Sequence, residues 1–308
     1  MTGPSSRRIA LRTGLSYHVL EWPSAAPGTP ATPETGAAGS NIVVLLHGFL
    51  DFAWTWEQVV RSGLEGRYHI VAPDLRGHGD SDRIGPGGYY HFMDYLADVH
   101  DLIEQVAGSS PDKVPVKVSI VGHSMGGTVA GYYAGAYPER VQRLVLLEGL
   151  GPPAGNLEST PERIGVWVSA WRRAQAQPQR PMASLQEAAE RLRRHDPRLP
   201  PETALALAEH GTSVLADGKR LFKHDPLHLT PGPLPFMLPM ARAFWRRIEC
   251  PVLLVDAEQS EFKYAEADFA ERLGSFKDAR TAVLADAGHM MQRHQPAALA
   301  ALLRDFLG

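Results

Sequence analysis

From residue 42 onward the chain alternates short apolar runs with longer stretches of helical spacing. The apolar runs fall at residues 42–46, 69–72, 116–121, 144–147, 252–255 and 281–284. Helical patterns lie between most of them, at 54–60, 92–106, 126–137, 264–273 and, last, 296–306. Apart from 116–121, which Lys117 and Ser119 interrupt, the runs are mostly continuous rather than alternating, as expected of strands covered on both faces. That argues an α/β protein with a mostly parallel sheet. Two earlier segments, 8–12 and 16–22, read as strands joined by Thr13-Gly14-Leu15, which predicts an antiparallel edge. Residues 23–40 are almost all Pro, Ala, Gly, Thr or Ser, and a flexible loop is expected there.

The alternation breaks once, over residues 151–247. Prolines crowd both ends of this stretch (Pro152, Pro153; Pro226, Pro231, Pro233, Pro235, Pro239), and its middles, 185–194 and 202–210, have helical spacing, the first of them Arg-rich. The expectation is a helical cap over 151–247, inserted into a core made of 1–150 and 248–308. Residues 158–247 hold 14 Lys or Arg against 9 Asp or Glu, which reads as a solvated helix surface. With 308 residues, 44% of them hydrophobic, the chain can bury a large core. A formal charge of −3 gives no reason to expect nucleic acid or an anionic membrane as partner. One cysteine, Cys250, excludes an internal disulfide and a thiolate metal cluster. Ile9-Ala10-Leu11 is too short for a signal-peptide core and no apolar run is long enough to span a bilayer, so a soluble, cytoplasmic protein is expected.

The chemistry concentrates at Val118-Ser119-Ile120-Val121-Gly122-His123-Ser124-Met125-Gly126-Gly127. A β-branched run ends in Gly-x-Ser-x-Gly and passes into a helical pattern, the strand–turn–helix context of a nucleophile elbow. Gly122 and Gly126 remove the side chains that would collide in so tight a turn. Ser124 needs a base to take its proton. His289, in Asp286-Ala287-Gly288-His289, follows the last strand and precedes the last helix, which brings it to the same sheet edge. His294 is the alternative, and otherwise reads as a surface residue. His123 should point away from the nucleophile and pack structurally. An oxyanion hole needs two backbone donors. Met125 offers one, and Phe49, in His47-Gly48-Phe49 after the strand 42–46, offers the other.

These segments, together with Val71-Ala72-Pro73-Asp74-Leu75-Arg76-Gly77-His78-Gly79-Asp80-Ser81 and Tyr137-Pro138-Glu139-Arg140-Val141, resemble the α/β-hydrolase superfamily over nearly the whole chain. His224-Asp225-Pro226-Leu227-His228-Leu229 is similar to the serine-hydrolase-like subgroup. The resemblance implies an eight-stranded, mostly parallel sheet with helices on both faces, an inserted cap, and a triad in the order Ser, acid, His. It also implies a structural role for the stretch from Asp74 to Ser81. Many members carry the acid as an aspartate past the second-last strand, where this chain has Ser260. Others place a carboxylate after the preceding strand, and here that residue is Glu148. Glu148 is therefore the expected acid, with Asp256 and Glu258 as alternatives. Dehalogenases and epoxide hydrolases of the superfamily need an aspartate where Ser124 stands, so ester hydrolysis through an acyl-serine is expected instead; the alternatives are other acyl-transfer reactions on the same triad (amidase, thioesterase, lactonase, carbon–carbon bond hydrolase, acyltransferase) and a ligand-sensing protein without turnover. Among Trp167, Trp171, Phe236, Met237, Met240, Phe244 and Trp245, the residues Trp167, Trp171 and Phe244 are the candidates for an apolar acyl pocket. No metal or organic cofactor is implied, and the expected partner is a small ester substrate.

Overall fold

A computed structural model describes residues 3–25, 41–108, 115–177 and 179–308. Beyond Ala25, the loop expected over 23–40 lies outside the described residues. The main sheet has eight strands: β1 (Ser5–Ala10), β2 (Ser16–Trp22), β3 (Ile42–Leu46), β4 (His69–Pro73), β5 (Val118–His123), β6 (Val141–Leu147), β9 (Val252–Ala257) and β10 (Ala279–Leu284). β7 (Thr212–Val214) and β8 (Arg220–Phe222) pair separately as a short antiparallel ribbon. In space the order is β1-β2-β4-β3-β5-β6-β9-β10. The β1–β2 and β2–β4 pairs are antiparallel; every pair from β4 to β10 is parallel.

Successive side chains of a strand face opposite ways, and both sides of this sheet are covered. Val44 and Leu46 join a cluster with α2 (Asp94–Ala107), α3 (Met125–Ala136) and α7 (Leu238–Trp245). Val43 and Leu45 face the opposite cluster, built with α1 (Glu57–Arg61) and α10 (Pro296–Leu307). All five residues of β3 and all six of β5 are buried, which is why β3 reads as an unbroken apolar run and β5 as a largely apolar one that also buries Ser119 and His123.

Between β6 and β9 lie α4 (Thr160–Ala176), α5 (Leu185–His195), α6 (Pro201–Gly211) and the β7–β8 ribbon, and α7 follows. A variant of the capping box starts α5: Ser184 Oγ accepts the Glu187 amide at 3.2 Å, and Glu187 Oε2 accepts the amide of Ala183, just before the cap, at 2.7 Å. The α5–α6 hairpin has its own apolar cluster, which includes Phe52 from the loop after β3. In contrast, α7 packs into the sheet-side core: Trp245 is fully buried, and Phe244 stacks on Tyr132 of α3 with ring centroids 4.6 Å apart. The final elements are α8 (Glu266–Leu273), α9 (Met291–His294) and α10. Among the described residues, no helix is long and apolar enough to cross a membrane.

Candidate active site

The carboxyl ends of β3, β5, β6, β9 and β10 lie side by side along one sheet edge, where open α/β sheets bind ligands. Ser124 follows β5 directly and stands at the N-terminus of α3 with φ 52° and ψ −118°. That left-handed backbone is unusual for a residue with a side chain. Its amide donates to Leu147 O at 2.9 Å, and its carbonyl accepts from Thr128 N at 3.0 Å. A Cβ on Gly126 would run into the carbonyl of His47, so the turn closes only around glycine.

His289 lies on the loop after β10. Its Nε2 accepts from Ser124 Oγ at 3.0 Å, and its Nδ1–H donates to Glu148 Oε2 at 2.5 Å. Glu148 follows β6 with φ 45°. Its long side chain crosses to the end of β9, where Oε1 accepts the Ala257 amide at 3.1 Å and Oε2 accepts the Ser260 hydroxyl at 2.8 Å. Burial by itself would raise the Glu148 carboxyl. The hydrogen bonds from His289, Ala257 and Ser260 outweigh it and hold the group below the ordinary glutamate value.

The alternative acids do other things. Asp256 is raised by burial and by the neighbouring Glu148 charge, and Glu258 Oε2 accepts the Asp286 amide at 3.0 Å. Ser260, which looked in the sequence like a missing carboxylate, is a donor to the carboxylate that reached its position from β6.

The loop after β3 comes close to the serine: a Cβ on Gly48 would sit 3.3 Å from Ser124 Cβ. The Leu50 amide donates to His78 Nε2 at 3.3 Å and the Asp51 amide to Gly48 O at 3.3 Å. Among the described residues no protein acceptor meets the Phe49 amide. Met125 opens α3, so its amide has no carbonyl partner within the helix. The β3 loop is tied to the His289 side of the site by buried pairs. Arg293 donates to Asp51 Oδ1 at 2.7 Å, and the Gln292 amide nitrogen lies 3.3 Å from both Asp51 Oδ2 and Thr55 Oγ1.

His123 is buried beside His289, their ring centroids 4.8 Å apart. Its Nε2–H donates to the His289 carbonyl at 2.8 Å, and burial, then the nearby His289, push its pKa down to about 3. Asp74 is saturated by donors, taking the Ala53 amide at 2.7 Å, the Asp80 amide at 2.8 Å and His18 Nδ1–H at 2.8 Å. His18, Asp74 and Asp80 are the one group of potential metal donors within reach of each other among the described residues. Those hydrogen bonds already occupy Asp74 in holding loops together.

Of the expected pocket residues, Trp167 and Trp171 stack on each other along α4 with centroids 5.5 Å apart, and Trp167 meets Tyr89 edge-on. Phe244 does not belong with them. Its partner Tyr132 stands eight residues along α3 from Ser124, a rise of about 12 Å. Phe244 is a core contact of α7. Two aromatics at the site were not singled out as wall residues. Phe262 is 57% exposed and packs on the His289 ring at 4.4 Å. Phe49, picked for its amide, also presents a 50% exposed ring. Composition offered no signal for Phe262, because its contact joins segments distant in sequence. His294 is not a surface residue: its side chain is 5% exposed and it bonds Asp196.

The family model described as "Alpha/beta hydrolase family" matches residues 43–302. A zebrafish protein named serine hydrolase-like protein is 29% identical over 280 residues, covering 88% of this chain and 83% of that protein. A crystal structure of hypothetical protein PA1622 from Pseudomonas aeruginosa superposes with a TM-score of 0.79 at 27% identity, covering 99% of this chain and 98% of that one. The thioesterase domain from the curacin biosynthetic pathway shares the fold, with a TM-score of 0.77 at 24% identity over 98% of this chain and 100% of that one. With its strand order, its helices on both sheet faces and a family match across most of its length, the chain belongs to the alpha/beta hydrolase family.

Proposed function

We propose that this hydrolase cleaves a carboxylic ester through an acyl-serine intermediate. The observation that carries the reading is the continuous hydrogen-bonded chain from Ser124 through His289 to Glu148, at 3.0 Å and 2.5 Å. Ser124 Oγ attacks the ester carbonyl while its proton passes to His289 Nε2. Glu148 fixes the Nδ1–H tautomer and stabilises the imidazolium that forms. The Phe49 and Met125 amides hold the developing oxyanion. His289 then returns the proton to the departing alkoxide. Water, deprotonated by the same imidazole, releases the acid and regenerates Ser124.

A small or medium apolar acyl group fits the exposed ring of Phe262 beside His289, with the exposed ring of Phe49 on the loop after β3, and Trp167 and Trp171 on α4, as further apolar wall. The same triad chemistry serves amides, thioesters, lactones and activated carbon–carbon bonds, so the deciding experiment is a panel of leaving groups. Initial rates on p-nitrophenyl acetate and butyrate, a matched anilide and a matched thioester should favour the oxygen esters, and Ser124→Ala should abolish turnover of all of them. Retained ester turnover in Ser124→Ala, or turnover confined to another class, overturns the assignment.

A further inference from the structure

A second buried chain of polar groups, outside the Ser124 site, ends on the loop that carries His289. His294 Nε2–H donates to Asp196 Oδ1 at 2.8 Å, and His294 Nδ1 accepts the Gly288 amide at 3.0 Å. The two side chains are 5% and 8% exposed. Asp196 follows α5, its amide donating to Leu192 O at 2.9 Å, so it belongs to the helices between β6 and β9. Gly288 and His294 belong to the core. The same α5–α6 turn sends Arg198 to the Gln259 side chain, and the Gln259 amide donates to Ala287 O at 2.8 Å.

Stability is a poor explanation for this arrangement. Asp196 Oδ2 is buried with no partner among the described residues, and an unpaired buried carboxyl oxygen costs free energy. A carboxylate buried against a neutral imidazole still bears the cost of leaving water. What the chain does fix is geometry. Residues 285–290 have no regular secondary structure, and Asp286 stands at φ 54°. Gly288 is bonded to His289, so the position of the Gly288 peptide sets where the imidazole stands.

We propose that Asp196 and His294 are positioning residues for the base. Asp196 holds the proton on His294 Nε2, which leaves Nδ1 free to accept the Gly288 amide, and the anchored peptide keeps His289 Nε2 in line with Ser124 Oγ. The α5–α6 hairpin thus acts on both loops that flank the serine, through His294 on one side and through Phe52 in its apolar cluster on the other. This inference rests on the reading of His289 as general base.

Amide isosteres test it. His294→Asn keeps an acceptor where Nδ1 stands but cannot reach Asp196. His294→Gln keeps the donor to Asp196 and loses the acceptor for Gly288. With an ester substrate, H294Q should lower kcat by about 10- to 100-fold, the scale of a sub-ångström to ångström misplacement. KM should stay within about twofold, and H294N should recover most of kcat. In 15N-edited NMR the His289 Nδ1–H resonance should shift and broaden in H294Q and return in H294N. Circular dichroism checks that H294Q folds; if it does not, Asp196→Ala carries the same expectation. Wild-type kcat together with wild-type His289 ring resonances in H294Q, or in Asp196→Ala, overturns the proposal. If the wild-type enzyme hydrolyses no ester, the reading of function fails instead, and the ring resonances still decide the positioning role.

Discussion

Removing the hydroxyl of Ser260 should weaken the protein in a way that depends on the charge of Glu148. Ser260 is 8% exposed; its Oγ donates to Glu148 Oε2 at 2.8 Å and accepts the Phe262 amide at 3.1 Å. Ser260→Ala deletes one of three donors to a carboxylate whose side chain is 4% exposed. A hydrogen bond to a charged group contributes about 1.5–3 kcal/mol. The ionised form should therefore lose that much, equivalent to a rise of about 1–2 units in the Glu148 pKa. Because the folded pKa lies below its ordinary value, Glu148 stabilises the native state above the unfolded pKa of about 4.3. That stabilisation disappears as pH falls through the folded value. The gap between wild type and Ser260→Ala should accordingly be about 1.5–3 kcal/mol at pH 7 and narrow as the carboxyl protonates. Urea titrations of both proteins, repeated at steps from pH 7 towards pH 3.5, measure it. A gap near zero at pH 7 refutes the donor role, and a gap that does not change with pH assigns the cost to the orphaned Phe262 amide.

Glu148→Gln should depress kcat by about 10^4-fold with KM nearly unchanged, because an amide no longer holds the correct imidazole tautomer. Glu258→Gln should stay near wild type, which steady-state kinetics on both variants will show. Gly126→Ala should cost about 1–3 kcal/mol of stability through overpacking, since its methyl group meets the carbonyls of Leu46 and His47, and urea unfolding reads this directly. His228 is buried and its pKa pushed down to about 4, chiefly by burial, so the unfolded chain binds its proton first. Stability should fall as pH drops from 7 to 5, and His228→Gln should flatten that fall by about 2 kcal/mol.

The parts of the fold and site carried by local pattern were legible. β3 and β5 announced themselves because they are buried on both faces, and the elbow because strand, glycines and helix are contiguous. Ser124 and His289 follow from position relative to strands. Glu148 was reached from the resemblance and from the hydroxyl at Ser260, but the sequence could not show that this hydroxyl donates to the carboxylate. That contact depends on the register of β6 against β9. Phe244 was misplaced for a related reason. Its aromatic, Pro-flanked surroundings match the rest of the 151–247 stretch in composition, while the packing of α7 on α3 is a long-range fact. His294 was read as surface because Asp196, its partner, lies 98 positions away.

In the proposed mechanism Ser124 is a nucleophile activated by His289 and Glu148. The most direct test is labelling with a fluorophosphonate, followed by peptide mapping. Stoichiometric modification at Ser124 is expected, slowed by orders of magnitude in His289→Ala and in Glu148→Gln. Failure of a folded enzyme to react, or modification at a different residue, would contradict it.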